Sequence, residues 1–122
     1  MSERVAVVGS RSWWPPWMVS RLVVGLDPGT VVVSGGAPGA DTMAWNAAVN
    51  HCKHLPEPEI YYADWSRFGR KAGPIRNTEI VKACDWMVAF WNGQVENSGT
   101  LDAVRKTIDQ GKCVLLIWNR KV

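Results

Sequence analysis

Cysteine is scarce in this chain, and its placement is uninformative for cross-linking. Cys52, Cys84 and Cys113 are odd in number, far apart and never in C-x-x-C spacing. That argues against a disulfide framework and against a cysteine-built zinc site, and it fits a reducing cytoplasm. No apolar run approaches the roughly 20 residues that cross a bilayer. The run near the N-terminus, Val5 to Val8, stops at Gly9-Ser10 and is too short for a signal-peptide core. An excess of one charge is also missing: 14 Lys+Arg against 11 Asp+Glu leave a net +3. With no basic stripe, that balance argues against a nucleic-acid partner and suits a small anionic ligand. Neither the dinucleotide fingerprint G-x-G-x-x-G nor a phosphate loop ending in Gly-Lys-Ser/Thr is present. No cofactor and no metal are therefore expected. Phe and Tyr number two each, whereas Trp numbers eight.

What is present is an alternation. The chain has 122 residues, 47% of them hydrophobic, enough for a single domain over 1–122 with its own core. Strand-like runs at Arg4–Val8, Thr30–Ser34, Ile60–Tyr62, Trp86–Phe90 and Lys112–Trp118 alternate with helix-like runs at Met18–Leu26, Ala40–Cys52, Pro74–Cys84 and Gly99–Gln110. The helical spacing of Val19, Leu22, Val23 and Leu26, and of Leu101, Val104 and Ile108, supports two of these helices. Asp64 to Gly73 reads as a long polar loop. Strands alternating with helices of about ten residues imply parallel pairing through right-handed crossovers. The expected fold is an α/β, three-layer, Rossmann-like sandwich with a five-stranded parallel sheet and four helices. Ligands in such sheets bind beyond the carboxyl ends of the strands.

Glycine, hydroxyl, arginine and tryptophan all converge on that edge. Gly9, Ser10 and Arg11 follow the first strand. Gly35, Gly36 and Gly39 lie in the strand-to-helix turn after the second, where a bare backbone approaches a ligand and helix N–H groups face an anion. Asp41 follows them and either caps the second helix or serves the site. Arg76 lies in the first turn of the third helix, where a cation opposes the helix dipole at a cost of roughly 0.3–1 kcal/mol. An anion held beside it, with Asn77 next to it, would compensate; the alternative is an ion pair with Glu79. Ser98, Gly99 and Thr100 open the fourth helix, as caps, as a phosphate site, or as both. Trp13 and Trp14, within Trp13-Trp14-Pro15-Pro16-Trp17, and Trp91 are candidates for stacking on a base. Aromatics in the first cluster equally suit a subunit interface. Arg67, Arg70 and Lys71 read as either site residues or solvated loop charges, and Trp45, Trp65, Trp86 and Trp118 as structural.

Gly35-Gly36-Ala37-x-Gly39-Ala40-Asp41, Asp64-Trp65, Gly69-x-x-Ala72-Gly73-Pro74-x-Arg76-Asn77 and Ser98-Gly99-Thr100 together resemble the YspA-like branch of the SLOG superfamily. That superfamily also holds the LOG phosphoribohydrolases and the DprA core. The resemblance runs from the first strand to the last. It implies strand order 3-2-1-4-5, a pocket for a nucleotide or nucleotide-derived molecule, and a bacterial or phage source. It also implies a homo-oligomer, which would cover some of the tryptophans. Arg76 looks like the counterpart of the LOG arginine, and Gly99-Thr100 matches the LOG Gly-Thr. The LOG glutamate position is Ala103 here, and the adjacent Asp102 is rotated about 100° around the helix.

Three functions follow as expectations. The first is a binding protein, a sensor or sequestering protein for a nucleotide-derived ligand. The second is an N-glycoside hydrolase, which needs a carboxylate beside the anomeric carbon; Asp41 and then Asp102 are the catalytic candidates, with Asp64 behind them. The third, a nucleic-acid module, is disfavoured by size and charge.

Overall fold

The computed structural model describes residues 3–119. Its five strands are β1 (Arg4–Gly9), β2 (Val31–Ser34), β3 (Glu59–Ile60), β4 (Trp86–Trp91) and β5 (Val114–Trp118). They form one all-parallel sheet in the order β3-β2-β1-β4-β5. The residues of β1 and β4 explain their central place. Val5 to Val8 and Met87 to Phe90 are buried along both faces, as parallel strands covered on two sides must be. Val5 pairs with Val32 on one side and Trp86 on the other.

Four long helices cover the sheet: α1 (Pro16–Val24), α2 (Ala40–His51), α4 (Ala72–Ala83) and α5 (Gly99–Asp109). On one face, Val19 and Val23 of α1 and Ala40, Ala44, Ala47 and Ala48 of α2 pack with Val5, Val7, Val88 and Phe90. On the other, Ile80 and Val81 of α4 and Ala103 and Val104 of α5 pack with Ala6, Val8, Met87 and Ala89. The alternation of β1 and β4 side chains between two cores makes the three layers.

Three expectations need correction. The segment expected to be a polar loop contains a short helix, α3 (Trp65–Phe68), followed by a 3₁₀ turn over Gly69–Lys71. Asp64 starts α3 by accepting a hydrogen bond from the Arg67 N–H at 3.2 Å. Pro74 does not start the next helix; α4 begins at Ala72, and Pro74 falls in its first turn, where a missing N–H costs no internal hydrogen bond. The third strand is only Glu59–Ile60, because Tyr62 has already turned into solvent at 73% exposure.

Trp13 is a core residue. It is 2% exposed, meets the Phe90 ring edge-on at 5.1 Å, and donates its Nε1–H to the Pro15 carbonyl at 3.1 Å. Trp17, four residues on, is 59% exposed. Trp13→Ala is expected to cost about 3–5 kcal/mol of unfolding free energy, and Trp17→Ala within about 0.5 kcal/mol of none, as read by urea denaturation. Equal and small losses would remove Trp13 from the core.

Candidate functional site

Strand order reverses on either side of β1, so the crevice opens where β1 and β4 separate. The chain passes very close to itself there. A Cβ on Gly9 would stand 2.5 Å from both the Ala40 Cβ and the Phe90 carbonyl oxygen, so only glycine lets β1, β4 and α2 meet. The Ser10 N–H donates to the Phe90 carbonyl at 2.9 Å. The Asn92 N–H donates to Ser10 Oγ at 3.0 Å, and Asn92 Nδ2 donates to Ser12 Oγ at 2.8 Å. The loops after β1 and β4 are thus stitched together at the floor of a cleft of about 760 Å³.

Gly35 is the pivot of one wall. Its N–H donates to Asp41 Oδ2 at 3.0 Å, and its carbonyl accepts from Arg76 Nη1 at 2.6 Å. A Cβ on Gly35 would meet Arg76 Nη1 at 2.6 Å and Asp41 Oδ2 at 2.8 Å. Asp41 therefore does not cap α2: the N-cap is Gly39, without a side-chain hydrogen bond. The carboxylate instead turns back onto the Gly35 peptide. Asp41 is 4% exposed, and its pKa is pushed up to about 6 by burial, against the opposing pull of Arg76 and of backbone N–H groups. Burial lowers the Arg76 pKa from its ordinary value, Asp41 raises it, and Arg11 lowers it again.

The other wall is built on Asn77. Its Nδ2 donates to the Gly99 carbonyl at 3.1 Å and to Asp102 Oδ2 at 3.0 Å. Its Oδ1 accepts from Arg76 Nε at 3.2 Å. Asn77 thus fastens α4 to the start of α5. Asp102 Oδ2 also pairs with Lys106 Nζ at 3.0 Å. Ser98 caps α5, its Oγ accepting the Leu101 N–H at 3.1 Å. Arg76 makes no ion pair with Glu79; the ion pairs among the described residues are Arg4–Glu59 and Lys106–Asp102.

The cleft brings together Gly9, Ser10, Arg11, Asp41, Arg76, Asn77, Ser98, Gly99, Thr100 and Asp102. Other expected residues lie elsewhere. Gly35, Gly36 and Gly39 shape the turn from behind, and none lines the cleft. Gly36 takes φ +68° beneath the Tyr62 ring, and Gly39 takes φ +87° against the Ser10 carbonyl. None of the three stacking candidates reaches the cleft. Trp13 is buried in the core and Trp14 is exposed. Trp91 leans on Trp118 with ring centres 6.2 Å apart and donates Nε1–H to the Gln94 carbonyl at 2.8 Å. In their place the cleft holds Trp65, Arg70 and Arg105. Arg105 was readable in principle, since it lies three residues beyond Asp102 and hence on the same side of the helix. Trp65 had no signal without α3. Among the described residues no group of three or more His, Cys, Asp or Glu side chains is arranged to hold a metal ion, and no helix is long and apolar enough to cross a membrane.

The raised Asp41 pKa has a stability consequence. Below about pH 4 the carboxyl is protonated in both folded and unfolded chains. Between the ordinary value of 3.8 and about 6 the folded chain holds the extra proton, so stability falls as pH rises through that window. Above it, a buried charge costs roughly 2–3 kcal/mol. Asp41→Asn cannot ionise. Urea denaturation at pH 4 and pH 7 should show the variant gaining about that much relative to the parent chain across the interval. A parallel pH dependence for the two proteins would refute the assignment.

No family model matches the sequence. DNA processing protein A (DprA) from Streptococcus pneumoniae has the same fold, with a TM-score of 0.72 over 94% of this chain at 23% identity. This chain spans 50% of that protein's length. The likeness is one of fold: the same five-stranded parallel sheet with its covering helices. The Gene 61 protein of Mycobacterium phage D29 is 36% identical over 116 residues, which cover 89% of this chain and 91% of the phage protein. At that identity across nearly the whole of both sequences, the chain belongs to the family of the phage Gene 61 protein.

Proposed function

We propose that the cleft binds a nucleotide or nucleotide-derived small molecule, as a sensor or sequestering protein of the YspA-like branch of SLOG domains. The carrying observation is the charge of the cleft. Arg11, Arg70, Arg76 and Arg105 line it against two carboxylates, Asp41 and Asp102, and Asp102 is already paired with Lys106. Guanidinium groups left over in a concave site match phosphate oxygens in charge and in hydrogen-bond geometry. The cleft's volume suits a ligand of nucleotide size. Three unpaired cysteines suit a reducing cytoplasm.

Hydrolysis of a nucleotide N-glycosidic bond is the second reading, and the Asp41 pKa of about 6 favours it. A carboxylate titrating near neutrality accepts a proton from water more readily than an ordinary one. Asp41 is the first candidate for that role. Asp102, paired with Lys106, suits the steadying of a developing positive charge on the sugar.

The test is mass spectrometry of a nucleotide panel incubated with the pure protein, including nucleoside phosphates, NAD, ADP-ribose and cyclic dinucleotides. Depletion of an intact nucleotide, recovered on heating, is the expected result. Free base or sugar phosphate would establish the hydrolase, and Asp41→Asn should then abolish turnover and keep binding. Arg76→Ala is expected to weaken nucleotide affinity at least about tenfold, or 1.4 kcal/mol; an unchanged affinity would displace the anion site.

A homo-oligomer fits the sheet edge. Among the described residues no other strand pairs with the outer backbone of β5, while Leu115, Leu116 and Trp118 are exposed on its two faces. A bare apolar edge invites a second copy across a two-fold axis. Leu116→Lys is expected to shift the sedimentation coefficient from dimer to monomer with the fold intact; a monomeric parent chain would end this part of the proposal.

A further inference from the structure

Resting on the nucleotide reading above, we infer that Trp65 is the platform on which the ligand's base stacks, so that the base lies at the α3–α4 rim of the cleft and its phosphate lies toward Arg11 and Arg76. Trp65 is the one aromatic ring among the described residues that line the cleft. It is 51% exposed, so it presents open aromatic surface beside the cleft.

Its position is fixed by its neighbours. Asp64 caps the turn that carries it, and Arg67 lies over the Phe68 ring at 4.9 Å and braces the same short helix. On the other side the ring edge rests on Gly73. A Cβ there would come 3.3 Å from Trp65 Cη2, tighter than an ordinary contact, so glycine at 73 lets the indole lie close over the start of α4. A tryptophan on a capped turn, its ring edge resting on Gly73 and about half its surface open beside a cationic cleft, is a preformed stacking surface. Base-on-aromatic stacking is strong enough to change affinity about tenfold or more per base, and it tolerates any base because each has a π-face.

Toward the β1 loop the cleft is mostly polar. Its floor is Ser10, Asn92 and Gly99, and its walls carry Asp41 from α2 and Arg76 from α4. Those groups serve phosphate and sugar. Arg11 raises the electrostatic cost of the Arg76 charge, which places the two cations near each other and marks their end of the cleft for the anion. The ligand thus runs from the β1 loop to α3.

The experiment compares the parent chain with Trp65→Ala and Trp65→Phe. The probes are the four ribonucleoside 5'-monophosphates, NAD and a cyclic dinucleotide, with ribose 5-phosphate as the base-free control. Affinity is read by calorimetry and tryptophan quenching by fluorescence. Trp65→Ala should lose about tenfold or more in nucleotide affinity and leave ribose 5-phosphate within about twofold. Trp65→Phe should recover most of the affinity, with the quenching gone, because none of the other tryptophans lines the cleft. Nucleotide binding unaffected in either variant, or quenching that survives Trp65→Phe, would overturn the platform and leave the nucleotide reading standing. Equal losses for nucleotide and ribose 5-phosphate would also overturn it, since a base contact cannot weaken a ligand without a base. No binding of any nucleotide by the folded parent chain would overturn both.

Discussion

The peptide of Gly35 is gripped from both sides, by the Asp41 carboxylate at its N–H and by the Arg76 guanidinium at its carbonyl. Most of the cleft depends on that grip. It fixes the turn between β2 and α2, and it anchors the N-terminal part of α4 to the opposite half of the fold. It also keeps a cation and an anion in a place where each offsets part of the other's desolvation. Arg76 then passes the constraint on through Asn77 to Gly99 and Asp102. A single chain of hydrogen bonds thus ties β2, α2, α4 and α5 together around the opening. Such a chain holds only if every member is satisfied, and among the described residues no buried side-chain nitrogen or oxygen lacks a partner.

The same grip explains the glycines. They make room for backbone and side chains to converge, and of those at 9, 35 and 39 only Gly9 also lines the cleft. Gly9 admits Ala40 and Phe90, Gly35 admits Asp41 and Arg76, and Gly39 admits the Ser10 carbonyl. Each is required by what lies behind it. The anion-attracting groups are the arginines in front.

The layered fold was legible because its signals are local and repeated. Val5 to Val8 and Met87 to Phe90 are too apolar for any place but the sheet centre, and each is followed by a turn and a helix. The strand order came with the family resemblance and is the order observed. Arg76 stood out because a helix starting at Pro74 would set it in the first turn; α4 starts at Ala72, which moves it to the fifth position. The tryptophans were not legible. Whether Trp13 is core or surface is decided by Phe90, which is 77 residues away in the chain (90 − 13). Trp65 became visible as a cleft residue only once α3 was seen, and α3 is too short to leave a helical period. Asp41 stayed open between cap and site residue because capping residues and residues that fold back onto a preceding turn share the same side chains.

The cleft is also late to exist. Its floor joins the loops after β1 and β4, and its walls come from helices packed on opposite faces of the sheet. The Ser10–Asn92 hydrogen bond closes a loop of 82 residues, and a closure that long is among the slower steps available to a chain of this size. A chain emerging from the ribosome has β1, β2 and α2 synthesised well before β4 arrives to complete the opening. Partly folded forms are therefore blind to whatever the finished cleft holds, and any occupant draws the equilibrium only toward the fully assembled sheet.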